Sequence, residues 1–240
     1  MMLRRVLMMT FLAVLFLGCV GQQTRPDEDK QREADYNYKM GISSLNEGNI
    51  KMAYVQLHKA YELDPNNKDI LNGLGIVFMQ IGEFDKALRY FKRVLELDSR
   101  YSEAYNNIGV ILLQSGRFNE AIEAFKGALS NPLYQYPERA YYNLGNAYYR
   151  MGRYEDAIRS FEGSVRLMPD FVMSYYGLAL ALNKKGDYGG ASTMLNMAIS
   201  LDQKYKGNRD AYKRDLQKQL TTAKGGDLSD IYDYLEILNY

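Results

Sequence analysis

Small and apolar residues return along this chain with a long period. Small residues stand at Gly41, Gly75, Gly109, Gly145 and Ala179, at steps of 34, 34, 36 and 34 residues. Seven positions after each comes a Gly: Gly48, Gly82, Gly116, Gly152 and Gly186. Two residues beyond that stands Ile50, Phe84, Phe118, Tyr154 or Tyr188. Ala follows twelve positions after the first small residue, at Ala53, Ala87, Ala121, Ala157 and Ala191. A large apolar residue follows at sixteen: Leu57, Phe91, Phe125, Phe161 and Leu195. Agreement at several offsets marks a repeat architecture. Each period predicts two helices and a tight turn. The first small residue lets the helices approach. The Gly after it ends the first helix, where the left-handed conformation costs glycine nothing. The Ala and the large apolar residue four positions on share one face of the second helix.

The order Leu-Gly, aromatic, Ala-x-x-x-Phe, Pro resembles the tetratricopeptide repeat. Tyr141-Tyr142-Asn143-Leu144-Gly145-Asn146-Ala147-Tyr148 is the nearest to that pattern, and Asp64-Pro65 and Met168-Pro169 supply the terminal Pro in two units. The expected fold class is all-α, a tetratricopeptide-repeat superhelix of about five helix-turn-helix units over residues 33–204, with capping helices over 205–240. One such unit cannot bury its apolar face alone, so stacked units share a core and the end unit needs a cap. In the last segment Tyr212, Leu216 and Leu220 recur at steps of four, and Gly225-Gly226 stops that helix. Asp227 is the expected cap of a final helix with Ile231, Tyr234, Leu235 and Leu238 on one side. That helix suits a packed cap or a mobile helix that binds a partner.

The N-terminus has a different pattern. Arg4 and Arg5 precede an apolar stretch of 12 residues, Val6 to Leu17. This order matches a secretory signal peptide, and the stretch is shorter than the roughly 20 residues of a membrane span. It ends in Leu15-Phe16-Leu17-Gly18-Cys19, which resembles a lipobox, and Cys19 is the one cysteine of the chain. Residues 1–18 are therefore read as a lipoprotein signal peptide, with covalent lipid expected on Cys19. The same residues also suit a secreted protein cleaved elsewhere or an uncleaved anchor. Residues 19–32 read as a polar tether, with Pro26-Asp27 a candidate helix start. Val20, not Asp, follows the cysteine. By analogy with lipoprotein sorting in Gram-negative bacteria, this favours the outer membrane, on its periplasmic side.

Composition narrows the chemistry. Removing Arg4 and Arg5 from the 30 basic residues leaves 28 against 29 acidic. That balance leaves no electrostatic footprint for nucleic acid. One Cys and one His cannot form a disulfide within the chain or a metal cluster, and His58 reads as a helix-surface residue. No phosphate loop, nucleophile elbow or metalloprotease motif occurs. The expectation is a binding protein, not an enzyme, without metal, cofactor or small-molecule substrate.

In tetratricopeptide repeats the first helix of each unit lines a concave side. Its inward positions lie three residues before, and one and four after, the small residue. Here these predict a partner-binding groove of Asn72, Ile76, Asn106, Val110, Tyr142, Asn146, Tyr149, Tyr176, Leu180 and Asn183. Apolar side chains of a peptide would lie on the Tyr and aliphatic groups while Asn meets its backbone. Tyr142, Tyr149 and Tyr176 are the candidate anchors. Arg150 and Lys184 are the cations near this face, too few for the terminal-carboxylate grip of chaperone-binding relatives. The same positions also suit packing against neighbouring helices or the chain's own C-terminus.

The two extra residues between the third and fourth units fall in Asn131-Pro132-Leu133-Tyr134-Gln135-Tyr136-Pro137. With the lipobox, this Pro-x-Tyr-x-x-Pro linker resembles the type IV pilus biogenesis and stability lipoproteins, the PilF/PilW-type pilotins. The resemblance implies an outer-membrane lipoprotein, lipid-anchored on the periplasmic side, that binds a pilus secretin subunit and helps the secretin assemble or reach the membrane. A general periplasmic adaptor, for example for cell-wall enzymes, needs the same lipobox and repeats without that linker.

Overall fold

The computed structural model describes residues 26–240, so the expected signal peptide and Cys19 lie outside the described residues. The described residues form helices and connecting turns, without strands. Five hairpins follow one another: α1 (Pro26–Asn46) with α2 (Ile50–Leu63), α3 (Lys68–Gln80) with α4 (Phe84–Leu97), and α5 (Ser102–Gln114) with α6 (Phe118–Leu129). Next come α7 (Pro137–Arg150) with α8 (Tyr154–Leu167) and α9 (Val172–Lys185) with α10 (Tyr188–Leu201). Two further helices, α11 (Arg209–Gln219) and α12 (Gly225–Ile237), end the chain. The α1 helix begins at Pro26, so residues 26–32 of the expected tether are helical; 27–32 are exposed.

The turn glycines do what their spacing predicts. Gly48, Gly82, Gly116, Gly152 and Gly186 have φ between 72° and 82°. After each, the next amide reaches back across the helix end, as in Arg117 N to Leu112 O at 2.9 Å and Arg153 N to Tyr148 O at 2.9 Å. These bonds satisfy carbonyls that the finished helix leaves without a partner. The glycine seven residues earlier answers a packing demand. A Cβ on Gly109 would lie 2.5 Å from the Phe125 ring, and one on Gly145 would lie 2.6 Å from Phe161. The first four hairpins thus close on one large side chain seated against bare backbone, and the fifth has Ala179 at that position.

Two compact units divide the described residues at Ile70 and Leu71. In the first, Leu57 is fully buried, as are Ala34, Ala53 and Ala60. His58 is half-buried on α2, with Nδ1 3.5 Å from Glu62. In the second, Phe125, Phe161, Leu144 and Leu178 belong to a core running through the third to fifth hairpins. A separate core joins α10, α11 and α12 through Leu195, Ile199, Tyr212, Leu216, Ile231 and Ile237. The inserted linker folds inward at Tyr134, which packs with Ala128 and Ala140. Asn131 ties the linker down by donating from Nδ2 to the Arg100 carbonyl at 3.1 Å.

The last helix differs from its sequence expectation in one respect. Gly225 and Gly226 are its first residues, and Asp227 lies in its first turn instead of capping it. Gly225 has φ 57°, so the chain turns sharply into the helix. At Gly226 a Cβ would lie 2.6 Å from Arg150 Nη1. The bare backbone there is a notch that admits an arginine from α7.

Candidate partner-binding site

The predicted groove residues divide into two groups. Asn72 is buried, and Asn106, Ile76 and Val110 are half-buried. The two amides serve the repeat stack itself. Asn107 donates from Nδ2 to Asn72 Oδ1 at 3.3 Å, and Asn143 donates to Asn106 Oδ1 at 3.0 Å. One repeat thus bonds the next at equivalent positions. Val110 packs against the central core.

The second group lies on α7 and α9. Tyr142, Asn146, Tyr176 and Leu180 line one cavity of about 1260 Å³, together with Leu113 and Arg150. Its opposite wall is the C-terminal segment, which contributes Tyr212, Leu216, Ile231 and Tyr234. Tyr142 lies edge-on to Phe171, with ring centres 5.6 Å apart. Burial pushes its phenol pKa up, while a hydrogen bond with Asn146 pulls the other way. Tyr176 stacks on Tyr212 at 5.5 Å and meets Tyr234 edge-on at 5.8 Å. Such ring pairs contribute about 0.5–1.5 kcal/mol each beyond burial. The Tyr176 hydroxyl donates to Asp202 at 3.1 Å, and the Tyr234 hydroxyl donates to the Tyr176 carbonyl at 3.3 Å. The phenol oxygens of Tyr142, Tyr176 and Tyr234 are thus engaged within the chain.

Tyr149 and Asn183 are buried beneath α12 and do not line the cavity. The Tyr149 hydroxyl donates to Asp230 at 3.1 Å and to Asp233 at 3.4 Å. Burial, and then these two carboxylates, push its pKa up. Asn183 donates from Nδ2 to Glu236 at 3.1 Å. The two groove cations are engaged by the same helix. Arg150 places Nη1 and Nη2 at 3.2 and 2.6 Å from the Asp230 carboxylate, and Lys184 Nζ lies 2.7 Å from Asp233. Burial opposes the charge on Lys184, yet its bond to Asp233 leaves its pKa raised. The anchor role expected of Tyr149 is thus spent on the chain's own last helix.

The residues missed by sequence reasoning are those of the opposite wall. Their signal was present in part. The stripe of Ile231, Tyr234, Leu235 and Leu238 marked a packed helix. What would have placed it is the acidic series Asp227, Asp230, Asp233 and Glu236, recurring every three residues. It is the electrostatic complement of Arg150 and Lys184. Among the described residues no helix is long and apolar enough to cross a membrane, and no cluster of side chains is suited to hold a metal ion.

Comparison with known proteins agrees with this architecture. Tetratricopeptide-repeat profiles match residues 53–99, 72–139, 138–171 and 174–205. The type IV pilus assembly protein PilF of Pseudomonas aeruginosa is 37% identical over 78 residues, covering 31% of this chain and 31% of that protein. A solved structure of Pseudomonas aeruginosa PilF superposes with a TM-score of 0.67 at 25% identity, over 86% of this chain and 99% of that one. PilW, a type IV pilus biogenesis factor, superposes at 0.65 with 21% identity, over 83% and 98% of the two chains. A MamA protein gives 0.57 at 27% identity, over 74% and 96%.

Proposed function

Because the chain belongs to the tetratricopeptide-repeat family, we propose that it acts by binding another protein and serves type IV pilus assembly as a pilotin-like adaptor. The observation that carries this reading is the likeness to PilF, which extends over 86% of this chain and 99% of the solved relative. Repeats of this type present a surface to a partner; the proposed role requires no catalytic step, metal or cofactor. The partner is a subunit of the pilus secretin, and it engages the cavity lined by Tyr142, Asn146 and Leu180. Lipid on Cys19 holds the protein to the outer membrane on the periplasmic side. One acyl chain anchors only marginally and two or more anchor stably, so a diacylglyceryl cysteine suffices. Anchoring raises the local concentration of the binder where the secretin must insert.

The test is the amount of secretin that runs as heat-stable multimers in outer-membrane fractions of a strain lacking this gene. Loss of multimers with monomer still present is the expected result. Unchanged multimers would reject the assembly role and leave a general periplasmic adaptor as the reading. A Cys19→Ser chain should mimic the deletion in outer-membrane fractions while still binding secretin in solution. Tyr142→Ala should weaken that binding in solution.

A further inference from the structure

The polar contacts of α12 have the character of a recognition event between separable parts. Of its acidic series, Asp230 takes Arg150, Asp233 takes Lys184, and Glu236 takes Asn183. The single Tyr149 hydroxyl proton is shared between Asp230 at 3.1 Å and Asp233 at 3.4 Å. Spacing of three residues keeps successive acids neighbours on a helix surface. Arg150 fits because Gly226 leaves its notch open. Ile231 and Tyr234 between the acids, and Ile237 after the last, enter the apolar core. Thus α7 and α9 together present two cations, a phenol, an amide and an aromatic floor to one amphipathic acidic helix.

The connection to α12 is short, with Thr221, Thr222 and Lys224 exposed and Leu220 and Ala223 half-buried. Thr221 and Thr222 hydroxyls bond only the Lys218 and Gln219 carbonyls one turn back. Lys224, at the helix start, makes no side-chain cap bond. The receptor side is also reachable with α12 in place. Arg150 lines the open cavity with a third of its side chain exposed, and Asp227, 3.8 Å away, is 84% exposed.

Resting on the protein-binding role above, we propose that the Arg150–Lys184 end of the concave face is a receptor for an acidic amphipathic helix. Helix α12 is its resident occupant. The partner segment is a helix of the same chemistry, with carboxylates three residues apart beside Tyr and Ile, and it enters by replacing α12. Charge complementarity and the helix already seated there identify the occupant.

The test uses the full chain and three labelled helical peptides, followed by fluorescence anisotropy. One peptide is residues 225–240 of this chain. A second keeps the four acids and the apolar pattern in an otherwise unrelated sequence. A third carries Lys in place of the four acids. The latch is opened in two independent ways, by Asp230→Lys with Asp233→Lys, and by Gly226→Leu, which crowds Arg150 without changing charge. Amide exchange reports whether α12 is released.

A site freed from an internal competitor gains affinity in proportion to the population it recovers. Both opened chains should therefore bind the two acidic peptides at least about tenfold more tightly than the unmodified chain does. The Lys peptide should not bind, and adding Arg150→Glu with Lys184→Glu to the Gly226→Leu chain, whose α12 keeps its acids, should abolish binding of the acidic ones. Equal binding of acidic and Lys peptides, binding of none of them, or α12 remaining protected despite reversed charges would overturn the proposal. So would a concentration-dependent dimer that buries α12, which would make a second copy the occupant. No secretin enters this experiment, so its failure is separable from failure of the pilus reading.

Discussion

Asn72 and Asn106, on α3 and α5, occupy the repeat position that Tyr142 and Tyr176 occupy on α7 and α9. The backbone environment is shared, but the outcomes are opposite. A short amide reaches only the next first-helix, so Asn72 and Asn106 bond Asn107 and Asn143 and the stack stitches itself together. A tyrosine reaches beyond its neighbour into the concavity. There Tyr176 meets Tyr212 and Tyr234 from the end of the chain. One repeat position therefore builds the stack at one end and a lined cavity at the other. The repeat specifies a scaffold, and the residue placed on it decides whether that stretch of the concave face is used internally or offered to another chain.

Four substitutions sharpen this contrast, and the largest effect lies under both ends. Phe125→Ala empties the seat against Gly109 and should cost about 3–5 kcal/mol. Urea unfolding should show that loss across both ends together, because the Phe125 core spans three hairpins. Tyr212→Ala should cost about 3 kcal/mol, confined to α11 and α12. Amide exchange should speed there while the α5–α8 core stays protected. A loss spread evenly through α5–α10 would show that the covered end is not separable.

Lys184→Met removes the partner of Asp233, whose carboxylate is largely buried. Leaving that carboxylate without its cation should cost about 2 kcal/mol, read as faster exchange in α12 with an unchanged melting temperature for the core. Asn107→Ala at the stitched end should cost about 1 kcal/mol, since one neutral hydrogen bond is lost and the buried Asn72 amide oxygen loses its donor.

Alkaline titration separates the ends by another route. Burial, reinforced by Asp202, raises the pKa of Tyr176; burial with Asp230 and Asp233 raises that of Tyr149. A pKa raised in the folded state gives stability that is complete below the unfolded value of about 10 and is lost as pH rises above it. The covered end should therefore loosen first in base, with tyrosinate absorbance appearing as α12 loses exchange protection. Simultaneous unfolding of the Asn-stitched end would break the distinction.

The repeat was legible because its requirements are local and periodic. A glycine that must take positive φ, or yield its Cβ position to a phenylalanine, leaves a mark in every unit. The site was legible only in part. Tyr142, Asn146, Tyr176 and Leu180 share one cavity, while Tyr149 and Asn183 are covered by a helix that lies 81 and 53 residues further along the chain at its contacts. Contacts over such separations follow no period, so pattern alone cannot assign them.

The amino-acid sequence by itself determined the helix pairs, their turns, the seats of Phe91, Phe125 and Phe161, and the inward-facing positions of each first helix. Steric limits on φ and the 3.6-residue helical period settle those features within one unit. Only the tertiary structure decided which inward positions stay open. Arg150 meets Asp230, and Lys184 meets Asp233, because the turn at Gly225 brings α12 back over α7 and α9. Charge attraction depends on distance in space and carries no information about distance along the chain.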